Sequence, residues 1–108
     1  MSPSEFDALA DAALGRIERA LEASGVDADL EWKGDGVLEL AFEDGARIVV
    51  NRHRAAQEIW VAARSGGFHY RWDGASWRDT RDASELFAAL SKLVSTHGGK
   101  PVRLSPAS

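Results

Sequence analysis

The sequence predicts an α+β fold: a two-layer αβ sandwich in which two helices pack on one face of an antiparallel sheet of about six strands. Three observations carry this reading. From Val37 onward, apolar and polar residues alternate through Leu38, Leu40, Phe42, Ile48 and Val50, then Ile59, Val61 and Ala63, then Phe68, Tyr70 and Trp72. Asp44-Gly45 and Ser65-Gly66-Gly67 interrupt that alternation, and such breaks mark antiparallel hairpins. Apolar residues at helical spacing flank the alternating stretch on both sides. A sheet with one apolar face and two helices with one apolar stripe each have one economical arrangement, with both helices side by side on that face.

The first helix opens at Ser2-Pro3-Ser4-Glu5, a capping box with Ser2 as N-cap, Pro3 at the first helical position and Glu5 reaching back. Phe6, Leu9, Ala10, Ala13, Leu14, Ile17, Ala20 and Leu21 form its buried stripe, and Gly25 ends it. A short strand at Leu30–Lys33 and a turn at Gly34-Asp35-Gly36 lead to the strand Val37–Phe42. The strand after Asp44-Gly45 ends near Val50, and Asn51–Glu58 reads as a polar connection without periodicity. Glu58–Ala63 is a strand with Ile59 and Val61 inward. The last hairpin turns at Asp73-Gly74. Asp82-Ala83-Ser84-Glu85 resembles a second capping box, opening a helix with Leu86, Phe87, Leu90, Leu93 and Val94 on one face and a stop at Gly98-Gly99. Residues 1–108 are expected to form a single domain. Val102 and Leu104 are candidates to tuck between the helices, and the tail, 104–108 at its widest, is expected to fray.

Composition narrows the function. With 108 residues the chain has room for one core. The absence of cysteine excludes disulfides, thiolate metal sites and thiol nucleophiles. No window approaches the roughly 18 apolar residues of a membrane span. The start MSPSEFDALAD is acidic where a targeting peptide would be basic, so a cytoplasmic protein is expected. The net charge of −4 conceals a polarity. Residues 1–45 hold twelve Asp/Glu against three Lys/Arg, whereas residues 46–108 hold five against ten.

The acids of the first half are patterned. At about 100° per residue, Asp7, Asp11, Glu18 and Glu22 fall on one stripe beside the buried face, with Arg16 and Arg19 further round. Glu18 and Glu22 lie one turn apart with no cation between them, near a helix end where negative charge opposes the macrodipole. Asp27, Asp29 and Glu31 follow at once, and Glu39 and Glu43 share the polar face of the second strand. With the first strand at the sheet edge, these acids would form a continuous ridge. A solvated face that protects an edge strand is the bland alternative.

No catalytic motif is present. The chain lacks a Gly-rich phosphate loop. His53, His69 and His97 are scattered, and the serines lie in caps and turns rather than in a nucleophile elbow. Carboxylates remain, and they suit hard cations such as Fe²⁺/Fe³⁺, Mn²⁺, Ca²⁺ or Mg²⁺. Acids spread along an exposed ridge imply weak, poorly selective binding. The same ridge could dock an Arg/Lys-rich protein surface. Strand parity turns Trp60 outward, as an exposed binding hot spot or as a ring shielded by Arg64 or Gln57.

In SEFDALAD, the acidic helix end, GVLELAFEDGARIVVNR, QEIW and SGGFHY, in that order from Ser4 to about Leu104, the chain resembles the frataxin family, in its bacterial branch. Asn51, Arg52, Gln57, Ile59 and Trp60 with the acidic first helix are the most specific part. The resemblance implies the same two-layer sandwich and a non-catalytic role in iron–sulfur cluster assembly, as iron chaperone or sensor and regulator of the cysteine desulfurase. It implies weak ferrous and ferric iron binding on Asp11, Glu18, Glu22, Asp27, Asp29 and Glu31. Glu18, Glu22, Asn51 and Trp60 are the implied partner-binding positions, toward the desulfurase and the iron–sulfur scaffold protein. Arg19, Ala23 and Pro3 depart from the more acidic pattern of bacterial relatives, so weaker iron loading is expected. A monomer is the default, with an iron-dependent oligomer left open. Two other classes compete: a ferroxidase, and a sheet-surface module for single-stranded nucleic acid built on Trp60 and nearby arginines. The first wants a buried carboxylate–histidine set, and the overall acidity opposes the second.

Overall fold

The structure, a computed structural model, describes residues 1–105. Its elements run α1 (Pro3–Ser24), β1 (Ala28–Gly34), β2 (Val37–Phe42), β3 (Arg47–His53), β4 (Glu58–Ala63), β5 (Gly66–Trp72), β6 (Trp77–Asp79) and α2 (Leu86–His97). The six strands form one antiparallel meander in sequence order, which leaves β1 and β6 at the edges.

Register decides which side chains share a face, because directly opposed residues in a ladder point the same way. Leu38 opposes Val50, Leu40 opposes Ile48, Val50 opposes Val61, and Ile59 opposes Tyr70. These residues form one core with Phe6, Ala10, Leu14, Ile17 and Leu21 of α1 and Leu86, Phe87, Leu90 and Val94 of α2. Phe6 meets Trp77 edge to face with centroids 6.0 Å apart, which ties the start of α1 to the far edge strand. The two-layer arrangement read from the sequence is therefore the one observed. No helix among the described residues is long and apolar enough to cross a membrane.

Local chemistry explains the ends. Ser2 Oγ accepts from Glu5 N–H at 3.1 Å while Glu5 Oε1 accepts from Ser2 N–H at 3.2 Å, a complete capping box. Gly25 closes α1 at φ 70°, a left-handed conformation that glycine adopts without a Cβ clash. The second capping box differs from expectation. Glu85 itself is the N-cap of α2, its carboxylate accepting from Phe87 and Ala88 N–H at 2.7 and 3.0 Å. Asp82 instead closes a local turn onto the Ser84 N–H and hydroxyl at 2.9 and 2.6 Å.

Two boundaries also move. The segment read as an unstructured connection begins inside β3, which runs on to His53 because Asn51, Arg52 and His53 pair with Trp60, Ile59 and Glu58. The tail is held further than expected. Val102 and Leu104 are buried, and their N–H groups donate to the Ser95 and Ser91 hydroxyls on α2, each at 2.8 Å. Leu104 thus belongs to the core, and the expected fraying of Pro106, Ala107 and Ser108 lies outside the described residues.

Candidate functional site

The acidic flank is assembled by one reversal of the chain. Gly25 ends α1, and β1 returns along the helix as the open edge of the sheet. The antiparallel course brings Trp32 level with Glu18, and Asp35, in the turn after β1, level with Asp11. Parity along β1 then divides the acids. Trp32 opposes Leu38 and so faces the helix layer, whereas Asp29 opposes Ala41 and Glu31 opposes Glu39 on the open face of the sheet. The ridge is therefore two rows on either side of one edge strand.

At its N-terminal end the flank is clasped. Arg52 continues the inward parity of Ile48 and Val50, and its side chain is only 13% exposed. Its guanidinium binds Asp11, reaches Asp35 Oδ2 at 2.9 Å and lies 4.0 Å from Asp7 Oδ1, while Arg54 holds Asp7 Oδ2 at 3.2 Å. Burial pushes the Arg52 guanidinium toward its neutral form, but the hydrogen bonds and charges of Asp35 and Asp11 outweigh this and raise its pKa. Gly36, at φ 76°, gives the clasp room, since a Cβ there would sit 2.9 Å from Arg52 Nε. Asp11, which the helical wheel shows only as one acid of a stripe, is thus an ion-paired residue. Its cation arrives from a strand 41 residues away, beyond the reach of a helical wheel.

Further along, the carboxylates are committed one by one until they stop being so. Glu18 Oε2 accepts from the Trp32 indole N–H at 2.8 Å. Glu31 pairs with Lys33 at 3.2 Å. The like-charged opposition of Glu31 and Glu39 is relieved by Lys33 and by Arg47, which lies 2.6 Å from Glu39. Among the described residues, Glu22, Asp27 and Asp29 are exposed and make no hydrogen bond or ion pair. Glu43, at the end of β2, is likewise exposed and unpaired among them. No three acids or histidines among the described residues converge into a ready-made metal cage. Exposed carboxylates in this arrangement can offer a cation only contacts that leave most of its hydration in place.

The open face of the sheet carries the other two sequence-selected residues. Asn51 opposes Trp60 on β3 and β4, and its side-chain amide donates to the Arg52 carbonyl at 3.3 Å. Trp60 does point outward, but it is half-buried rather than an open hot spot. His53 stacks on one face of its ring at 3.7 Å and His69 on the other at 4.5 Å. The shielding comes from these histidines, not from Arg64 or Gln57. Beneath them Glu58, 6% exposed, accepts from Trp60 Nε1 and from Arg71, both at 2.8 Å, with His69 Nδ1 at 3.4 Å. Burial pushes the Glu58 carboxyl up, yet the bonds from Trp60 and Arg71 and the charges of Arg71 and His69 prevail, leaving its pKa lowered.

From sequence, Arg52 stands only as part of the family signature, without a role, and Trp32 and Glu58 have no place in the site. Each carried a faint signal in parity. Arg52 is an arginine at an inward strand position, Trp32 is in step with Leu30 on an edge strand, and Glu58 is in step with Trp60.

Comparison with known proteins agrees with this geometry. The family model for the frataxin-like domain matches residues 1–100. The iron-sulfur cluster assembly protein CyaY of Dechloromonas aromatica (strain RCB) is 59% identical over 104 residues, covering 96% of this chain and 99% of that protein. The protein of the same name from Paraburkholderia phymatum is 47% identical over 107 residues, covering 98% and 100%. Among solved structures, frataxin from Psychromonas ingrahamii superposes with a TM-score of 0.90 at 31% identity, over 97% of this chain and 99% of that one. Trimeric yeast frataxin complexed with ferrous iron superposes with a TM-score of 0.67 at 26% identity, over 89% and 87%. Two helices on a six-stranded meander with an acidic helix–strand flank, matched over nearly its whole length, make this chain a member of the frataxin family.

Proposed function

We propose that this chain is a cytoplasmic, iron-binding regulator of iron–sulfur cluster assembly that docks on the cysteine desulfurase through the C-terminal half of its acidic flank. The observation that carries the reading is the sorting of carboxylates. Asp7, Asp11, Asp35, Glu18, Glu31 and Glu39 are each engaged, whereas Glu22, Asp27 and Asp29 gather at the α1–β1 reversal with no partner among the described residues. Like charges left together near a helix C-terminus weaken the fold slightly. They fit a ligand that supplies the missing positive charge, which is ferrous or ferric iron or a basic protein surface. The names of the relatives, and the ferrous iron bound by the yeast homologue, support the same reading. In the same reading Asn51 and Trp60, on the open face of the sheet, belong to the partner-binding surface.

A binding role fits better than turnover. The buried carboxylates among the described residues are Glu58 and Asp79, which lie on opposite faces of the sheet. Glu58 is saturated by Trp60 and Arg71, and Asp79 accepts from Arg81 N–H at 2.7 Å. A two-iron oxidation centre needs such groups to converge. Oxygen consumption with Fe²⁺ should therefore match an iron-only blank. The test of the proposal is desulfurase binding by the Glu22→Lys/Asp29→Lys double variant. Binding should fall at least ten-fold with the circular dichroism spectrum unchanged. Wild-type affinity in that variant would remove the flank from the mechanism.

A further inference from the structure

We infer that Trp32 is the aromatic anchor of the acidic flank, taking an arginine of the basic partner against its indole ring. This deepens the docking reading and rests on it. Among the described residues the exposed large hydrophobic side chains are Met1 at 50% and Trp32 at 42%. Trp60, the aromatic that parity offered for this role, is closed between two histidines. Trp32 stands on the open edge strand, where no neighbouring strand covers it.

Its surroundings state the chemistry of the occupant. The indole N–H, the one donor of the ring, is spent on Glu18 at 2.8 Å, so the ring offers a partner its π surface. Glu18 orients the ring and places a carboxylate at its edge. Glu22 lies one helical turn beyond on α1, while Asp29 and Glu31 point to the opposite face of the strand and add negative charge to the flank without touching the ring. A π face with the Glu18 carboxylate at its edge and Glu22 one helical turn beyond matches a guanidinium, which stacks on indole and donates hydrogen bonds sideways to carboxylates at the same time. A lysine ammonium satisfies the charge but not the planar stack. Tryptophan is also the side chain that most often dominates an interface. An edge strand invites a second copy of the chain as well, but two acidic flanks repel one another, so charge favours the basic partner.

The experiment uses the full chain and two probes, the cognate cysteine desulfurase and the peptides hexa-arginine and hexa-lysine, at matched ionic strength. Affinities are measured for wild type, Trp32→Ala, Trp32→Phe and Glu22→Lys, and the indole N–H signal of Trp32 is followed by NMR. Trp32→Ala should weaken the desulfurase and hexa-arginine about ten-fold and hexa-lysine less than three-fold. Trp32→Phe should retain most of the affinity, and the indole signal should shift with hexa-arginine. Trp32→Ala binding as tightly as wild type, while Glu22→Lys binds weakly, would overturn the anchor and leave the acidic docking surface intact. Hexa-arginine requiring Trp32 while the desulfurase fails to bind wild type would keep the anchor and sink the proposed partner. Failure of both probes on wild type would overturn both. Loss of a concentration-dependent dimer in Trp32→Ala, seen by sedimentation, would assign the ring to self-association instead.

Discussion

The two halves of the acidic flank start from the same carboxylate chemistry, on α1 and on the segment that returns from it into β1, and end in opposite states. Asp7 and Asp11 lie under Arg52 and Arg54, in a clasp that joins α1 to β3 and to the β1–β2 turn through Asp35. Glu22, three turns further along, and Asp27 and Asp29 beyond it have nothing to hold among the described residues. The difference teaches that an acidic stripe is not one feature. Its first half is fastening and its second half is available surface, and what separates them is the reach of two guanidiniums, Arg52 from β3 and Arg54 just beyond it.

The largest test of that division is Arg52→Met. It removes the counter-charge of Asp11 and leaves Asp7, whose Oδ1 is already buried without a hydrogen bond, with Arg54 alone. Asp35 is 91% exposed and contributes little. The expected loss is about 2–3 kcal/mol in urea unfolding, less than a fully buried pair would cost because Asp11 is half in water. A loss under 0.5 kcal/mol would mean that the clasp is ornament.

Gly36→Ala approaches the same clasp from beneath. A methyl group at φ 76°, placed 2.9 Å from Arg52 Nε, should cost about 1–2 kcal/mol. It should also move the Asp11 amide signal without touching Glu22.

Glu58 is the committed carboxylate of the open face and sharpens the comparison through pH. Its folded-state pKa is lowered below the ordinary 4.5. Its stabilisation is therefore present above that value and is lost as pH falls through the lower, folded one. Glu58→Gln should cost about 1–2 kcal/mol at pH 7 and flatten the decline of stability on the acid side. A variant that keeps the wild-type acid limb would contradict the assignment.

The smallest effect is expected where the account places function. Asp27→Lys or Glu22→Lys should change stability by no more than about 0.5 kcal/mol, and upward, since each removes like-charge repulsion and Glu22→Lys also suits the helix end. The same substitutions should weaken iron binding.

Much of this architecture was readable from the chain because local rules agreed with one another. The Ser2–Glu5 box, Gly25, and the period-two runs through Leu38 and Ile59 all belong to short-range chemistry. What escaped was long-range. A helical wheel shows Asp11 and Glu22 alike, because Arg52 enters only when β3 is folded against α1. Trp60 reads as exposed because its cover comes from His53 and His69 on neighbouring strands. Trp32 passes unnoticed because its parity with Leu30 turns it toward the helix layer, and how little of it that layer covers shows only in the fold. The extension of β3 through Asn51-Arg52-His53 was hidden by its polar residues, two of which face the open side of the sheet.

The most direct measurement is an anaerobic Fe²⁺ titration of isotope-labelled protein followed through backbone amides. Amides of Glu22, Asp27 and Asp29 should broaden first and saturably, ahead of those of Asp7, Asp11 and Asp35, whose carboxylates must leave Arg52 or Arg54 to bind metal. Equal or earlier broadening at Asp11 and Asp35, or uniform broadening across the sheet, would contradict the division of the flank into fastening and surface.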